Sequence, residues 1–360
     1  EMCIRASRNP VLELEYTAAS PLPNMLGFIR RTPLLDNVDL DLDQFVFSGD
    51  ARTGGLLRAP LRAGGDPLRI DGTLQLEANG FLEMVSGVRL QDIGGEITYD
   101  RDGIRGAALR ARFRDNETEL ALAADWDAAE IFRADLSGAY AVDDVIPADL
   151  LDSEPLLRLL DGRSDWDINL SVMGAPEAGQ REVWLDMSSD LEGVEFGFPA
   201  PLTKAAGEAW PMRVRYPIQS REPVFSIEAE NRALLRFDIE DGLGRPSRAS
   251  VLLGEGSPDL PAAGLFSLNG SVGTFDLDRW MDLIIERFRQ DRGAGGLKFT
   301  TAELSAGELL FLNRMFPDVT MEVRFEDDIL AGNFDSERLS GTVRYSQSDD
   351  GSHSLAAGLE

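Results

Sequence analysis

A single cysteine, Cys3, stands in 360 residues, so no internal disulfide can form. Cysteine usage this sparse fits a cytosol or a bacterial periplasm equally well. The single histidine is His353, in "GSHSLAAG". Without a second histidine, neither a zinc site nor a Ser-His or Cys-His nucleophile has support, and His353 reads as strand surface. No run approaches the roughly 18 apolar residues of a membrane span. The opening "EMCIRASRNP" has no apolar core segment of an export signal. Basic residues are also scarce: 35 against 63 acidic ones leave a formal charge of −28. A nucleic-acid partner needs a basic footprint, and that balance excludes one. Glycine patterns for nucleotides are missing as well, because "RTGGLLRAP" and "DRGAGG" lack the strand-to-helix context. The chain opens on Glu1 and stops on "SLAAGLE" in mid-pattern, as an internal piece of a longer protein does.

What is present is alternation of period two. In "LRIDGTLQLEAN" the residues Leu68, Ile70, Leu74, Leu76 and Ala78 share one face, and Arg69, Asp71, Thr73, Gln75, Glu77 and Asn79 the other. "DWDINLSV" sets Trp166, Ile168, Leu170 and Val172 against Asp165, Asp167, Asn169 and Ser171. "DVTMEVRFE" sets Val319, Met321, Val323 and Phe325 against Thr320, Glu322, Arg324 and Glu326. Turn signals such as "RDG", "EDG", "DDG" and "GEGSPD" separate these runs. Strand, turn and strand at short spacing predicts antiparallel meanders and a mainly β chain.

Helical spacing is rare. "DLDRWMDLIIERFRQDR" predicts one helix near 276–291, with Asp276 as its N-cap. "IPADLLDSEPLLRLLDG" predicts a shorter, proline-interrupted one near 146–160. Each strand has an apolar face that must leave water, at about 25 cal/mol per Å². Two short helices cannot cover so many strands. The faces must meet each other in a sandwich or barrel, or curl around something that is not protein. Alternation alone leaves both open.

Acidic clusters add no chemistry. Asp39, Asp41 and Asp43 in "NVDLDLDQF" stand at calcium-loop spacing, but Gln44 occupies the glycine position and Leu40 and Leu42 alternate as in a strand. No catalytic residue, metal ligand or cofactor site is identified, and an enzyme is not expected.

The stretch "SDLEGVEFGFPAPLTKAAGEAWPMRV" is more specific. Its Ser189, Asp190, Leu191 and Gly193 lead into a crossing with Pro199, Pro201, Leu202, Lys204, Ala206 and Gly207, then Pro211 and Val214. This resembles a signature of the AsmA-like envelope proteins of Gram-negative bacteria, in their YhdP-type form. Phe198 and Met212 stand where that pattern has leucines, and Ala205 where it has a proline. Further stretches resemble the same family: "DIGGEITYDRDGIRGAALRARF" at Asp102, Gly103, Leu109 and Ala111; "LLRLLDGRSDWDINLSV" at Leu160, Gly162 and Trp166; and "LNGSVGTFDLDRWMDLI" at Gly270, Phe275, Asp276, Leu277, Asp278 and Trp280. The likeness runs from about Leu68 onward. Residues 1–67 form a less diagnostic β segment, and residues 68–360 a repetitive unit expected to be continuous and elongated.

The resemblance implies a curled antiparallel β-sheet forming an apolar groove, a β-taco-like fold with two short helices. It implies a periplasmic location, an inner-membrane anchor outside this chain, and movement of glycerophospholipid towards the outer membrane. The partners implied are phospholipid and, through regions outside this chain, the two membranes, with envelope proteins as further candidates. Under that reading the groove floor comprises Leu74, Leu76, Ile168, Leu170, Phe196, Phe198, Val214, Phe237, Ile239, Val251, Leu253, Val323 and Phe325. Lys204 is expected to be a turn or surface residue and not a headgroup ligand. The competing expectation is a self-filled β-sandwich that binds envelope partners and holds no lipid.

Overall fold

The computed structural model describes residues 2–4, 11–29, 45–61, 68–83, 88–146, 151, 155–174, 181–239, 247–256, 259–290, 298–326, 329–337, 340–347 and 353–359. They contain 21 strands and three α-helices, in a mainly β chain. The chain divides into two units, one of Glu1–Ala139, Trp166–Leu185 and Ile218–Ser220, the other of Tyr140–Asp165, Asp186–Pro217 and Arg221–Glu360. In neither do the described strands close into a barrel.

In the first unit β1 (Met2–Ile4), β2 (Val11–Pro21), β3 (Phe45–Pro60), β4 (Arg69–Glu83), β5 (Arg89–Tyr99), β6 (Gly103–Phe113), β7 (Asn116–Asp125) and β8 (Glu130–Ala141) pair in succession, every pair antiparallel. The turns follow the sequence signals. At the "RDG" turn the Asp100 carboxylate accepts the amides of Asp102 and Gly103 at 2.8 and 2.9 Å. Between β6 and β7, Arg114 and Asp115 both take positive φ, 45° and 69°, the geometry that matches a two-residue hairpin to strand twist.

Register sorts the side chains onto two faces. Ala51, Leu76, Ile97, Leu109, Ala111 and Leu120 are buried together on one. The other carries ion pairs, Arg58 to Glu13 at 3.3 Å and Arg112 to Asp92 at 3.5 Å. The helix α1 (Leu22–Ile29) lays Leu22, Met25 and Leu26 against the apolar cluster. It begins in the apolar run "LPNMLGFI", where helical periodicity was too short to stand out.

One prediction about β4 needs correction. Alternation places Ala78 on the apolar face and Asn79 on the polar one, yet Ala78 is exposed and Asn79 is 1% exposed. A bulge lies between Leu76 and Asn79, with Ala78 at φ 55°. The extra residue shifts the strand by one position and turns Asn79 inward. Buried there, its amide donates to the Ser48 carbonyl at 3.1 Å and its oxygen accepts the Glu77 N–H at 2.9 Å.

The second unit contains α2 (Val142–Val145) and a 3₁₀ turn, Pro155–Leu159, that runs directly into β9 (Leu160–Met173). Of the helix predicted near 146–160, Leu151 is helical and Pro155–Leu159 form this turn; residues 147–150 and 152–154 lie outside the described set. The remaining strands are β10 (Glu182–Ser189), β11 (Val194–Phe196), β12 (Met212–Gln219), β13 (Val224–Ala229), β14 (Ala233–Asp238), β15 (Arg248–Leu253), β16 (Leu265–Asp276), β17 (Lys298–Phe311), β18 (Arg314–Glu326), β19 (Ile329–Asp335), β20 (Ser340–Gln347) and β21 (His353–Leu359). Strands β8, β9, β10 and β12 have residues in both units.

From β12 to β21 each strand pairs with the next, but not all are antiparallel as predicted. β15 with β16, and β16 with β17, are parallel. Parallel neighbours need a crossover, and two stretches supply it. Residues 254–264, with the "GEGSPD" read as a hairpin turn, join β15 to β16. The helix α3 (Leu277–Gln290) joins β16 to β17. Asp276 caps α3 as expected, accepting the Arg279 amide at 3.1 Å.

Candidate functional site

Following the ladders of the second unit across the sheet gives one apolar row. Val214 stands opposite Ile227, then Leu235, Val251, Leu268, Ala302 and Val323 follow on successive strands. Leu253 lies in the adjacent row with Ala233 and Leu304. Phe237 lies in the row on the other side, its ring 6.0 Å from Phe225. Ile239 continues the parity of β14 and is buried, its N–H bound to the Pro223 carbonyl.

Burial within these rows is uneven. Val214 and Leu253 are 6% and 3% exposed, and Leu253 packs with Phe275, Leu304, Leu309, Val319 and Met321. The side chains Leu202 of the crossing and Leu277 and Trp280 of α3 cover part of that cluster. Ile227, Leu235, Phe237, Val251, Leu268 and Val323 are only half-buried, although strands flank each of them on both sides. Leu235, Val251 and Leu268 pack against the buried cluster without being closed off by it. The reverse face carries Arg213 opposite Glu228, and Arg215 beside Asp186 at 3.5 Å. The Phe325 side chain lies outside the described residues, as do Asp39, Asp41 and Asp43.

In the first unit Leu74 and Leu76 face inward with Thr53, Ala51 and Ile97. Leu76 is buried and Leu74 half-buried. Ile168 and Leu170 are half-buried too, and a polar contact fixes their direction. Asn169, between them, donates to the Asp135 carboxylate at 2.7 Å. Asp135 pairs with Arg133 at 2.9 Å on the charged face, so Ile168 and Leu170 point to the apolar one. Partial burial pushes the Asp135 carboxyl up, but hydrogen bonds from Arg133 and Asn169 and the Arg133 charge outweigh it and hold the group below its ordinary value.

Phe196 and Phe198 are placed differently, on the proline-lysine crossing. Phe196 meets Trp210 edge-on at 5.5 Å and Phe198 at 6.2 Å, while Phe198 stacks on Trp280 at 6.2 Å. The Trp280 indole donates to the Ala200 carbonyl at 2.9 Å, which ties the crossing to α3. These rings form an aromatic knot that Trp280, stacked on Phe275 at 6.4 Å, joins to the apolar cluster of the sheet.

Lys204 differs from its expected place at the surface. It is 1% exposed. Its ammonium donates to the carbonyls of Leu191, Val194 and Ala205 at 2.8, 2.7 and 3.2 Å and stands 5.8 Å from the Phe196 ring centre. All three protons are used. Burial pushes its pKa below the ordinary value, against the pull of Glu208, Asp190 and Glu192. Two glycines complete the joint. Gly162 and Gly193 take φ of 127° and 96°, and a Cβ on either would stand 2.2 Å from a carbonyl oxygen of the facing strand. Residues 160–162, 189–214 and 275–280, far apart in sequence, therefore converge to build this joint. The Lys204 and Trp280 donors are spent on the protein's own backbone, and the Trp210 indole N–H is buried without a hydrogen-bond partner among the described residues, which leaves the crossing as scaffold and the sheet faces as the surface able to meet a ligand.

Among the described residues no three His, Cys, Asp or Glu side chains form a metal-binding group, and no helix is long and apolar enough to cross a membrane. Compared with known families, residues 4–360 match the family model described as YhdP protein. No curated protein and no solved structure matches the chain.

Proposed function

The chain belongs to the YhdP protein family, and on that premise we propose that its sheets carry glycerophospholipid by covering the acyl chains with their apolar faces. The observation that carries the reading is the incomplete burial of aliphatic side chains in mid-sheet. Leu74, Leu235, Val251, Leu268 and Val323 each have paired strands on both sides, yet each keeps contact with solvent. In a self-filled sandwich those positions would be closed.

The energetics suit hydrocarbon. Each methylene left in water costs about 0.8 kcal/mol, so a sixteen-carbon chain needs cover worth on the order of 12 kcal/mol. An alternating sheet provides cover along each row without any directional contact. Lipid then slides between nearly equal positions, with headgroups left in water. The periplasmic location, the inner-membrane anchor beyond this chain and delivery towards the outer membrane are parts of the same proposal.

Val323→Asp and Leu170→Asp test it. Each puts a charge on an apolar face at a position that is not fully buried. The expected result is a folded protein from which less phospholipid is extracted and which transfers less between vesicles. A folded variant with unchanged lipid content and transfer would overturn the assignment.

A further inference from the structure

Four neighbouring strands of the first unit hold a row in which Tyr16 and Tyr99 take the outer positions and Gly55 and Gly72 the inner two. With no side chains in the middle, the two rings converge and their hydroxyls meet at 2.5 Å. The fit is close. A Cβ on Gly72 would stand 2.6 Å from the Tyr99 hydroxyl, and one on Gly55 2.8 Å from that of Tyr16. From the next row the Thr53 hydroxyl lies 2.6 Å from the Tyr99 hydroxyl and donates to the Thr73 carbonyl at 2.9 Å.

This relay has a direction. The Thr73 carbonyl can only accept, so the proton in that bond is Thr53's. The contact of Thr53 with Tyr99 then needs the Tyr99 proton, and the contact of Tyr99 with Tyr16 needs the Tyr16 proton. Any other order leaves one of the three contacts with no hydrogen between its oxygens. All three protons are committed, and among the described residues no donor reaches the Tyr16 oxygen. Partial burial and the Tyr99 hydroxyl raise the Tyr16 pKa, so the group is a neutral phenol. The result is an acceptor-only oxygen in the row where β5 ends, able to meet a headgroup at the water-facing border of the apolar face.

We propose that the Tyr16 hydroxyl oxygen is a selectivity station on the lipid path, accepting a hydrogen bond from an N–H or O–H of the cargo and offering none to its ester carbonyls. The inference rests on the lipid-carrying reading above. A primary ammonium headgroup satisfies the station, and a trimethylammonium headgroup, which has no N–H, does not. The glycines serve to bring the hydroxyls together, and the relay serves to hold every proton away from the cargo.

The test loads the full chain from vesicles of equimolar phosphatidylethanolamine and phosphatidylcholine with identical acyl chains, then measures the extracted ratio by mass spectrometry. One charge-assisted hydrogen bond predicts about fivefold or greater enrichment of phosphatidylethanolamine. The variant Y16F/Y99F keeps both rings; it is expected to return the ratio to that of the vesicles with total lipid per protein unchanged. Y99F alone leaves the Tyr16 proton uncommitted and is expected to lower the enrichment. Excess free ethanolamine is expected to leave it intact. Bound lipid without enrichment, enrichment that survives in Y16F/Y99F, or its loss to free ethanolamine would each overturn the station while leaving the lipid reading standing. No bound lipid of either kind would overturn both.

Discussion

The Lys204 ammonium lies 2.7 Å from the carbonyl oxygen of Val194, ten residues back along the chain and beneath the crossing. Two more carbonyls share its protons, so removing the charge strands the buried acceptors of Leu191 and Val194. Lys204→Met is expected to cost about 3 kcal/mol or more, read by urea unfolding. The effect also has a pH signature. Burial lowers the folded pKa, so between that value and the ordinary 10.5 the unfolded chain binds more protons than the folded one. Stability then rises with pH across that window. K204M lacks this term, and the gap between the two proteins is expected to widen as pH rises through it.

Gly162 and Gly193 are expected to tolerate no side chain. Both hold positive φ and both face a carbonyl at 2.2 Å from where a Cβ would lie. Gly193→Ala is expected to destabilise the second unit by about 2–3 kcal/mol, measured by chemical denaturation. The unaffected glycine nearby is Gly207, which has open space around it. Gly207→Ala is expected to change stability by less than about 1 kcal/mol.

Asp135 is a milder case. Its folded pKa is lowered, so its contribution is present above the ordinary value of 3.8 and is lost as pH falls through the folded value. Its side chain is 45% exposed, and solvent screens the pair with Arg133. Asp135→Asn is expected to cost less than about 1 kcal/mol at pH 7. At acid pH, once the wild-type carboxyl is protonated, the two proteins are expected to unfold alike.

Much of the sheet was legible in the sequence because alternation is a local property. Trp166, Val214, Leu253 and Val319 are inward where period two put them. The family signature was legible too, since its residues are contiguous. What escaped depends on register or on three-dimensional neighbours. Asn79 needed the bulge at Ala78, and a bulge has no hydrophobic pattern of its own. Lys204 looked like surface because a lysine is costly to bury; only the converging carbonyls of Leu191, Val194 and Ala205 make its place intelligible. The parallel pair of β15 and β16 escaped because a crossover and a hairpin turn share the same glycines and prolines, and that of β16 and β17 because a helix between two strands does not by itself fix their direction. The Tyr16–Tyr99 relay required four strands in register, and no spacing along the chain announces it.

Neighbouring residues of β13 offer the sharpest test of the central claim. Ile227 lies in the apolar row opposite Val214 and Leu235, and Glu228 is exposed on the reverse face opposite Arg213. A photo-crosslinking amino acid is placed at each position in turn, in the protein in its native cell, and the adducts are identified by mass spectrometry. Phospholipid captured at 227 and not at 228 is the predicted result. Equal capture at both positions, or none at 227, would contradict the account.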